Sequence, residues 1–193
     1  MTGARHFSQA ISEGDGISVV VVADDLESAR AAEEEGAEAL ALTRPLGEVR
    51  EATGLPLLWR PAGSPEQARA AQADACVLAV ASVGEEDGEL ERLYGQAIEL
   101  GLECAVEVRD EEELETALER VDPEIFLLAG TGDEGRLQWA LDLLQDVPAG
   151  KLAIAEAGPN RDEIAELERA GVDAVIVPAG NVAELVGGSA PEV

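Results

Sequence analysis

The sequence predicts an α/β fold, a compact (β/α)8 TIM barrel, and two observations support this prediction. From Ile17 onward, short aliphatic runs alternate with amphipathic helical stretches, and the alternation repeats eight times. Continuous apolar strands separated by helices indicate parallel strands that are covered on both faces. Eight units of roughly 22 residues favour a small closed barrel, and an open doubly wound sheet is the alternative.

Each apolar run is one predicted strand, and the residues between the runs carry helix signals. The helix expected over Leu26–Glu35 separates apolar from acidic residues at helical spacing. The predicted strands are Ile17–Val22, Ala39–Leu42, Pro56–Trp59, Ala75–Val80, Leu102–Val108, Ile125–Leu128, Leu152–Ala155 and Ala174–Val177. Side chains that can cap a helix start are Asp25, Ser64 with Pro65, Asp110 and Asn160. Glycines placed for a left-handed helix end are Gly36, Gly54, Gly101 and Gly171.

The predicted domain organisation is an N-terminal extension over residues 1–16 and a single barrel over residues 17–193. Although 46% of the chain is apolar, no run reaches the roughly 18 to 20 residues that span a bilayer. The first sixteen residues lack the apolar core of a signal peptide, and we expect His6 at the surface. Cys76 and Cys104 lie in apolar runs, which predicts buried structural thiols.

The charge of the chain is strongly negative, with 41 acidic and 13 basic residues and a formal net charge of −28. Such a charge repels phosphodiester backbones and anionic headgroups, so we expect neither nucleic acid nor membrane as a partner. Lys151 is the only lysine, and acidic residues occur in almost every polar stretch. This composition suits concentrated salt and predicts a halophilic, cytoplasmic protein. A surface used for a basic partner is the alternative, and the oligomeric state stays open.

Candidate functional residues are those that end the strands of the predicted barrel, because working groups in this fold stand there. They are Trp59, Arg60, Glu107, Thr131, Glu156 and the stretch Pro178–Asn181. Glu107 interrupts an apolar strand, so burial is expected to raise its pKa. Two carboxylates and one guanidinium could converge as a general base, an orienting acid and an anion clamp. A structural ion-pair cluster that fills the barrel mouth is the alternative.

A phosphate site is expected in the loops after strands seven and eight, where backbone N–H groups commonly hold this group. Gly158, Gly180 and Asn181 are its candidates, although Asn181 could be a helix cap and Gly158 a turn. No glycine-rich nucleotide motif supports the site. The sequence predicts no metal site, no cofactor, and no serine or cysteine triad.

Four segments resemble the indole-3-glycerol-phosphate synthase family, and the likeness extends from about Ile17 to Gly187. The segment Leu100–Leu114 is similar to the family's fifth strand, on which Glu107 takes the place of the catalytic glutamate. Ala155–Gly158 resembles the S-E-S-G segment of strand seven, and Ala170–Val177 resembles the entry to strand eight. Leu55–Arg60 is similar to strand three, where Arg60 falls on the catalytic lysine. The resemblance implies a TIM barrel and a lyase that closes an indole ring in tryptophan biosynthesis.

Several residues depart from the family pattern. Strand one lacks the glutamate and lysine of the family's A-E-I-K segment, and the S-P-S-K-G loop is missing. Arg60 stays protonated, so it can hold an anion but is a poor proton donor. Lys151 is expected at the N-terminal end of strand seven, a strand length from the mouth. Other family positions are changed to Ala129 and Gly130, to Ala157 and to Pro178, which has no N–H group.

Two hypotheses follow from these matches and departures. In the first, the chain is a diverged lyase or isomerase that binds a small phosphorylated or carboxylated metabolite and has lost or altered the parent reaction. Glu107 would then be the base, Glu156 its partner and Arg60 the anion clamp. In the second, the barrel is non-catalytic and serves binding or assembly. An open pocket with Arg60 facing inward would favour the first, and a mouth filled by Trp59 the second.

Overall fold

The strands of the protein close into a parallel barrel, as a computed structural model shows for residues 6–13, 16–82, 88–130, 135–180, 182 and 185. The strands follow one another in chain order, and the eighth pairs with the first. They are β1 Ser18–Ala23, β2 Ala39–Leu42, β3 Leu57–Trp59, β4 Ala75–Ala79, β5 Glu103–Val108, β6 Ile125–Leu128, β7 Leu152–Glu156 and β8 Ala174–Val177. The predicted TIM barrel is confirmed, and the predicted strand ends differ by at most one residue.

In the described residues the helices are α1 Phe7–Ser12, α2 Leu26–Glu34, α3 Val49–Ala52, α4 Pro65–Ala70, α5 Glu89–Glu99, α6 Glu111–Arg120, α7 Arg136–Leu144 and α8 Arg161–Ala170. Helix α1 precedes β1, and the helices α2 to α8 each connect two successive strands on the outside of the barrel. The side chains of the four predicted N-caps each accept a backbone N–H bond, namely Asp25, Ser64, Asp110 and Asn160.

The predicted helix ends are confirmed at three glycines and wrong at the fourth. Gly36, Gly101 and Gly171 have φ angles of 95°, 73° and 98°, which glycine adopts readily. Gly54 does not end a helix in this way. Helix α3 stops at Ala52, Thr53 is extended, and its hydroxyl accepts the N–H of Leu55 at 3.0 Å. This hydroxyl turn replaces the left-handed cap.

Alternate strand residues divide the core into an inner and an outer layer. Side chains such as Leu58, Ala105 and Ile154 form one buried cluster inside the barrel. Their neighbours Trp59 and Val106 belong to clusters that face the surrounding helices. This alternation follows from the two-residue period of a strand, and it fixes which strand-end residues face the barrel mouth.

Helix α1 closes the N-terminal end of the barrel. Phe7 and Ile11 are fully buried and belong to the inner cluster. The carboxylate of Glu103, the first residue of β5, accepts hydrogen bonds from the N–H groups of Phe7 and Ser8 and from the Ser8 hydroxyl. A ligand site is therefore expected at the opposite end of the barrel, where the strands finish.

Other sequence predictions are also tested by the fold. His6 is exposed, as expected. Cys76 and Cys104 are free and buried, which confirms their prediction, and they lie opposite each other in the pairing of β4 with β5. Across the described part of the chain, no helix is long and apolar enough to cross a membrane.

Candidate active site at the barrel mouth

Three charged side chains point toward the barrel axis from strands β3, β5 and β7. Leu58, Ala105 and Ile154 lie in the inner cluster, so the residues two positions further along each strand face the same side. These residues are Arg60, Glu107 and Glu156. Alternate strands of a (β/α)8 barrel contribute such layers of side chains. The three charged candidates from the sequence therefore lie in one layer of side chains at the mouth of the barrel.

Arg60 and Glu156 form an ion pair that reaches across the mouth. Strands β3 and β7 are four positions apart in a ring of eight, so the two side chains start from opposite walls. A guanidinium nitrogen of Arg60 donates to a carboxylate oxygen of Glu156. The side chains remain 20% and 32% exposed, so the pair is accessible from the cavity above it.

Glu107 is half-buried, and its strand, β5, lies between β3 and β7 in the strand order. Burial raises the pKa of its carboxyl group, and Glu156 adds to this effect, whereas the nearby charge of Arg60 opposes it. Arg109 also lowers this pKa, and Glu113 raises it further. A carboxyl group with a raised pKa can hold or accept a proton closer to neutral pH, which is the property that a general acid or base needs.

An open cavity of about 450 Å³ lies over the Arg60 and Glu156 pair. Its volume falls within the range of small-molecule sites, and most of its lining residues are apolar. The lining residues come from the ends of β1, β2, β3, β7 and β8 and from the start of α7, and they are Val22, Asp24, Thr43, Arg60, Arg136, Glu156, Ala157, Gly158, Pro159, Ile176, Val177, Pro178 and Ala179.

Trp59 does not contribute to this cavity, although it was a binding candidate. Its side chain belongs to the outer cluster and is 3% exposed, because it points away from the barrel axis while Arg60 points toward it. It lines a separate cavity of about 340 Å³ with Pro45, Pro61 and Gln67. The mouth is thus not filled by Trp59, and Arg60 faces an open pocket.

The phosphate candidates after β7 and β8 are only partly described. Gly158 lines the cavity, but its N–H group donates to a carboxylate oxygen of Glu163 at 3.3 Å. Gly180 is exposed and is not among the residues that line the cavity, which ends at Ala179. Thr131 and Asn181 lie outside the described residues.

Two charged residues that line the cavity were not predicted from the sequence. Asp24 directly follows β1, and Arg136 is the first residue of α7, after Gly135. The signal for Asp24 was its position, since a polar residue after an apolar strand is placed as Arg60 is. Arg136 had no such signal, because the sequence does not mark where α7 begins.

Lys151 takes no part in the mouth. It directly precedes β7, as expected, and its ammonium group pairs with Asp122 at 2.6 Å. Within the described parts of the chain, no group of three or more histidine, cysteine, aspartate or glutamate side chains is placed to hold a metal ion.

The eight parallel strands close into a barrel, and charged side chains line a cavity at their carboxyl ends, so this protein belongs to the class of TIM barrels. The family model for "Indole-3-glycerol phosphate synthase" matches residues 65–181, which is more than half of the chain. The chain belongs to the indole-3-glycerol phosphate synthase family.

Individual relatives agree with this membership. The chain is 37% identical over 141 residues to indole-3-glycerol phosphate synthase of Acidithiobacillus ferrooxidans, covering 68% of this chain and 52% of the relative. It is 35% identical over 120 residues to the synthase of Bacillus mycoides, covering 58% and 45%. With the synthase of Shouchella clausii it shares 32% identity over 170 residues, covering 77% and 65%. The chain thus matches about half the length of the first two relatives.

A solved structure supports the fold alone. Thiamine phosphate pyrophosphorylase from Pyrococcus furiosus superposes with a TM-score of 0.63 at 19% identity, covering 86% of this chain and 87% of that one. At this identity the likeness concerns the barrel and carries no statement about the reaction.

Proposed function

We propose that this chain binds a small phosphorylated or carboxylated metabolite in the barrel mouth and that the parent lyase reaction is lost or altered. The observation that carries this proposal is the Arg60–Glu156 ion pair facing an open cavity of about 450 Å³. A partly buried guanidinium group at the end of a strand can bind an anionic group of a ligand. Membership of the synthase family supports a ligand of this chemical class.

The proposed division of roles assigns proton transfer to Glu107 and anion binding to Arg60. Glu107 has a raised pKa because it is desolvated, which suits a general base acting at neutral pH. Glu156 orients Arg60 through their ion pair. Arg60 stands where the family carries its catalytic lysine and cannot readily release a proton, so a lysine-dependent acid step is expected to be missing.

A non-catalytic barrel is the second candidate, and one observation favours it. Arg60 is already neutralised by Glu156, so these residues could serve as a structural pair that holds opposite walls of the mouth together. A binding protein or an assembly module would then retain the fold without a reaction.

Thermal stability with and without ligand separates these candidates. The purified chain would be heated in molar salt, alone or with indole-3-glycerol phosphate, its anilino-deoxyribulose phosphate precursor, or inorganic phosphate. A ligand that binds the folded state at a hundred times its dissociation constant adds about 2.7 kcal/mol of stability. The proposal expects a shift that is lost in Arg60→Ala, followed by a turnover assay.

The control is Arg69→Ala, because Arg69 is an exposed arginine on α4 that does not line the mouth cavity. This variant should retain the ligand-induced shift. If none of these compounds shifts the melting temperature, and a simple carboxylate such as benzoate does not shift it either, ligand binding at the mouth is refuted and the non-catalytic barrel is favoured.

A further inference from the structure

The groups that would hold a phosphate after β7 and β8 are already engaged within the chain. The N–H of Gly158 donates to Glu163, and the N–H of Ala157 donates to the carbonyl oxygen of Ile176 at 3.0 Å. Pro159 and Pro178 line the same part of the cavity and have no N–H group to offer. These four positions of the wall, three after β7 and one after β8, therefore lack a free backbone donor for an anionic ligand.

The helix that begins at this wall is also unfavourable to a phosphate. Helix α8 carries Asp162 and Glu163 in its first turn, and the side chain of its N-cap, Asn160, accepts the N–H of Asp162 at 3.0 Å. These carboxylates already interact with the positive end of the helix dipole. A phosphate monoester with nearly two negative charges would be repelled by both of them.

Arg60, by contrast, shows that the mouth accommodates a carboxylate. The group that it binds is the carboxylate of Glu156, and the planar guanidinium is well matched to that shape. Both side chains are partly exposed to the cavity, so a carboxylate from a ligand can replace Glu156 without opening the core. The cavity lining also includes the apolar residues Val22, Ile176 and Val177, and its other polar members are Asp24, Thr43 and Arg136.

We propose that the mouth selects a small monocarboxylate with an apolar body over a phosphate monoester, and that Glu156 and Glu163 determine this selectivity. Glu156 occupies the position of the ligand carboxylate and competes with it for Arg60. Glu163 keeps the Gly158 N–H from a phosphate. This inference rests on the proposed ligand binding at the mouth, which it narrows to one of the two ligand classes considered there.

Benzoate and phenyl phosphate form a matched pair of probes, because they share one apolar ring and differ in the anionic group. Their affinities would be measured by calorimetric titration in molar potassium chloride at pH 7. The wild-type chain should bind benzoate, and phenyl phosphate about tenfold or more weakly. Glu156→Gln should tighten benzoate binding about tenfold, because it removes a charged competitor for the guanidinium.

Glu163→Gln should instead tighten the binding of phenyl phosphate and leave benzoate nearly unchanged. Its matched control is Glu166→Gln, which removes the same charge from an exposed position of the same helix without touching Gly158. Equal gains in both variants would show that only the net charge matters and would overturn the role of Glu163.

The comparison of the two probes on the wild-type chain decides the inference even if a variant fails to fold. Phenyl phosphate binding as tightly as benzoate, or more tightly, overturns the selectivity while ligand binding at the mouth stands. If neither probe binds the wild-type chain, Glu156→Gln or Glu163→Gln, binding at the mouth fails and the selectivity fails with it.

Discussion

Charged residues at the mouth are partly buried, and the burial of Glu107 lowers the stability of the fold when its carboxyl group is ionised. Its neighbours Arg60 and Arg109 favour the ionised carboxylate, yet burial and the carboxylates of Glu156 and Glu113 outweigh them and raise the pKa. A site that holds such a group is less stable than it could be, and this pattern is typical of residues kept for chemistry.

Glu107→Gln is therefore expected to stabilise the folded chain at neutral pH while abolishing any turnover. Because the pKa of Glu107 is higher in the folded than in the unfolded state, its stabilising contribution is complete below the unfolded value, about 4.3. This contribution is lost as the pH rises through the folded value. The gain from glutamine should thus be larger at pH 8 than at pH 5, as measured by urea unfolding.

The control for this change is Glu99→Gln, at an exposed position near the end of α5. It should alter the free energy of unfolding little, and equally at both pH values. A loss of stability in Glu107→Gln that grows with pH would contradict the assignment of a desolvated carboxylate.

Arg60→Ala is expected to destabilise the fold by about 1–3 kcal/mol, between the values for exposed and buried ion pairs. The substitution removes the ion-pair partner of Glu156 and one of the two cations that lower the pKa of Glu107, so this pKa should rise further. The loss should be greater at pH 8 than at pH 5. Adding Glu107→Gln should recover part of it, and strictly additive effects in this double-mutant cycle would show that the residues do not interact.

At the scale of elements, the carboxylates that directly precede β2, β4 and β8 accept a backbone N–H near the start of the preceding strand. Glu38, before β2, accepts the N–H of Val19 at 2.8 Å. Asp74, before β4, accepts the N–H of Leu57 at 2.7 Å, and Asp173, before β8, accepts that of Ala153 at 2.8 Å. Each bond joins two neighbouring strands at the end opposite the mouth, so acidic residues contribute to the barrel itself.

Asp74→Ala should destabilise the chain by about 1–3 kcal/mol, because it leaves a partly buried N–H group unpaired and removes the carboxylate that forms an ion pair with Arg50. The free energy of unfolding in urea measures this effect. Asp146→Ala removes the same charge from an exposed position and should change stability by no more than about 0.5 kcal/mol. Equal effects of both substitutions would mean that the carboxylate acts only through net charge.

The elements were predictable from the sequence because their signals are local. Apolar runs, helix caps and the two-residue period of a strand required no knowledge of distant residues, and they correctly placed Arg60 and Glu156 at strand ends. Contacts that depend on barrel closure were not predictable in detail. Cys76 and Cys104 lie opposite each other only because of the register between β4 and β5. The hydrogen bond from Gly158 to Glu163 depends on the conformation of the glutamate side chain. Trp59 points outward because it is one residue from Arg60, and adjacent residues of a strand face opposite sides of the sheet.

For the whole molecule, the excess of negative charge is the dominant feature. The chain has 41 acidic residues and only 13 basic ones, and several of the cations are already held in ion pairs, such as those of Arg50 with Asp74 and Arg109 with Glu113. Many carboxylates must therefore face one another across the surface. Their mutual repulsion opposes the compact state, because unfolding separates the charges.

Added salt is consequently expected to raise the melting temperature of the chain. Raising the salt from 0.01 M to 1 M shortens the Debye length from about 30 Å to about 3 Å, which screens repulsion between surface carboxylates. Calorimetry in sodium chloride would measure the shift, and sucrose serves as a control because it stabilises through exclusion without screening charge. Screening predicts that most of the rise occurs below about 0.5 M, where the Debye length changes most. A rise that is linear up to several molar, or none at all, would contradict a fold limited by charge repulsion and would leave the salt-adapted reading of this surface without support.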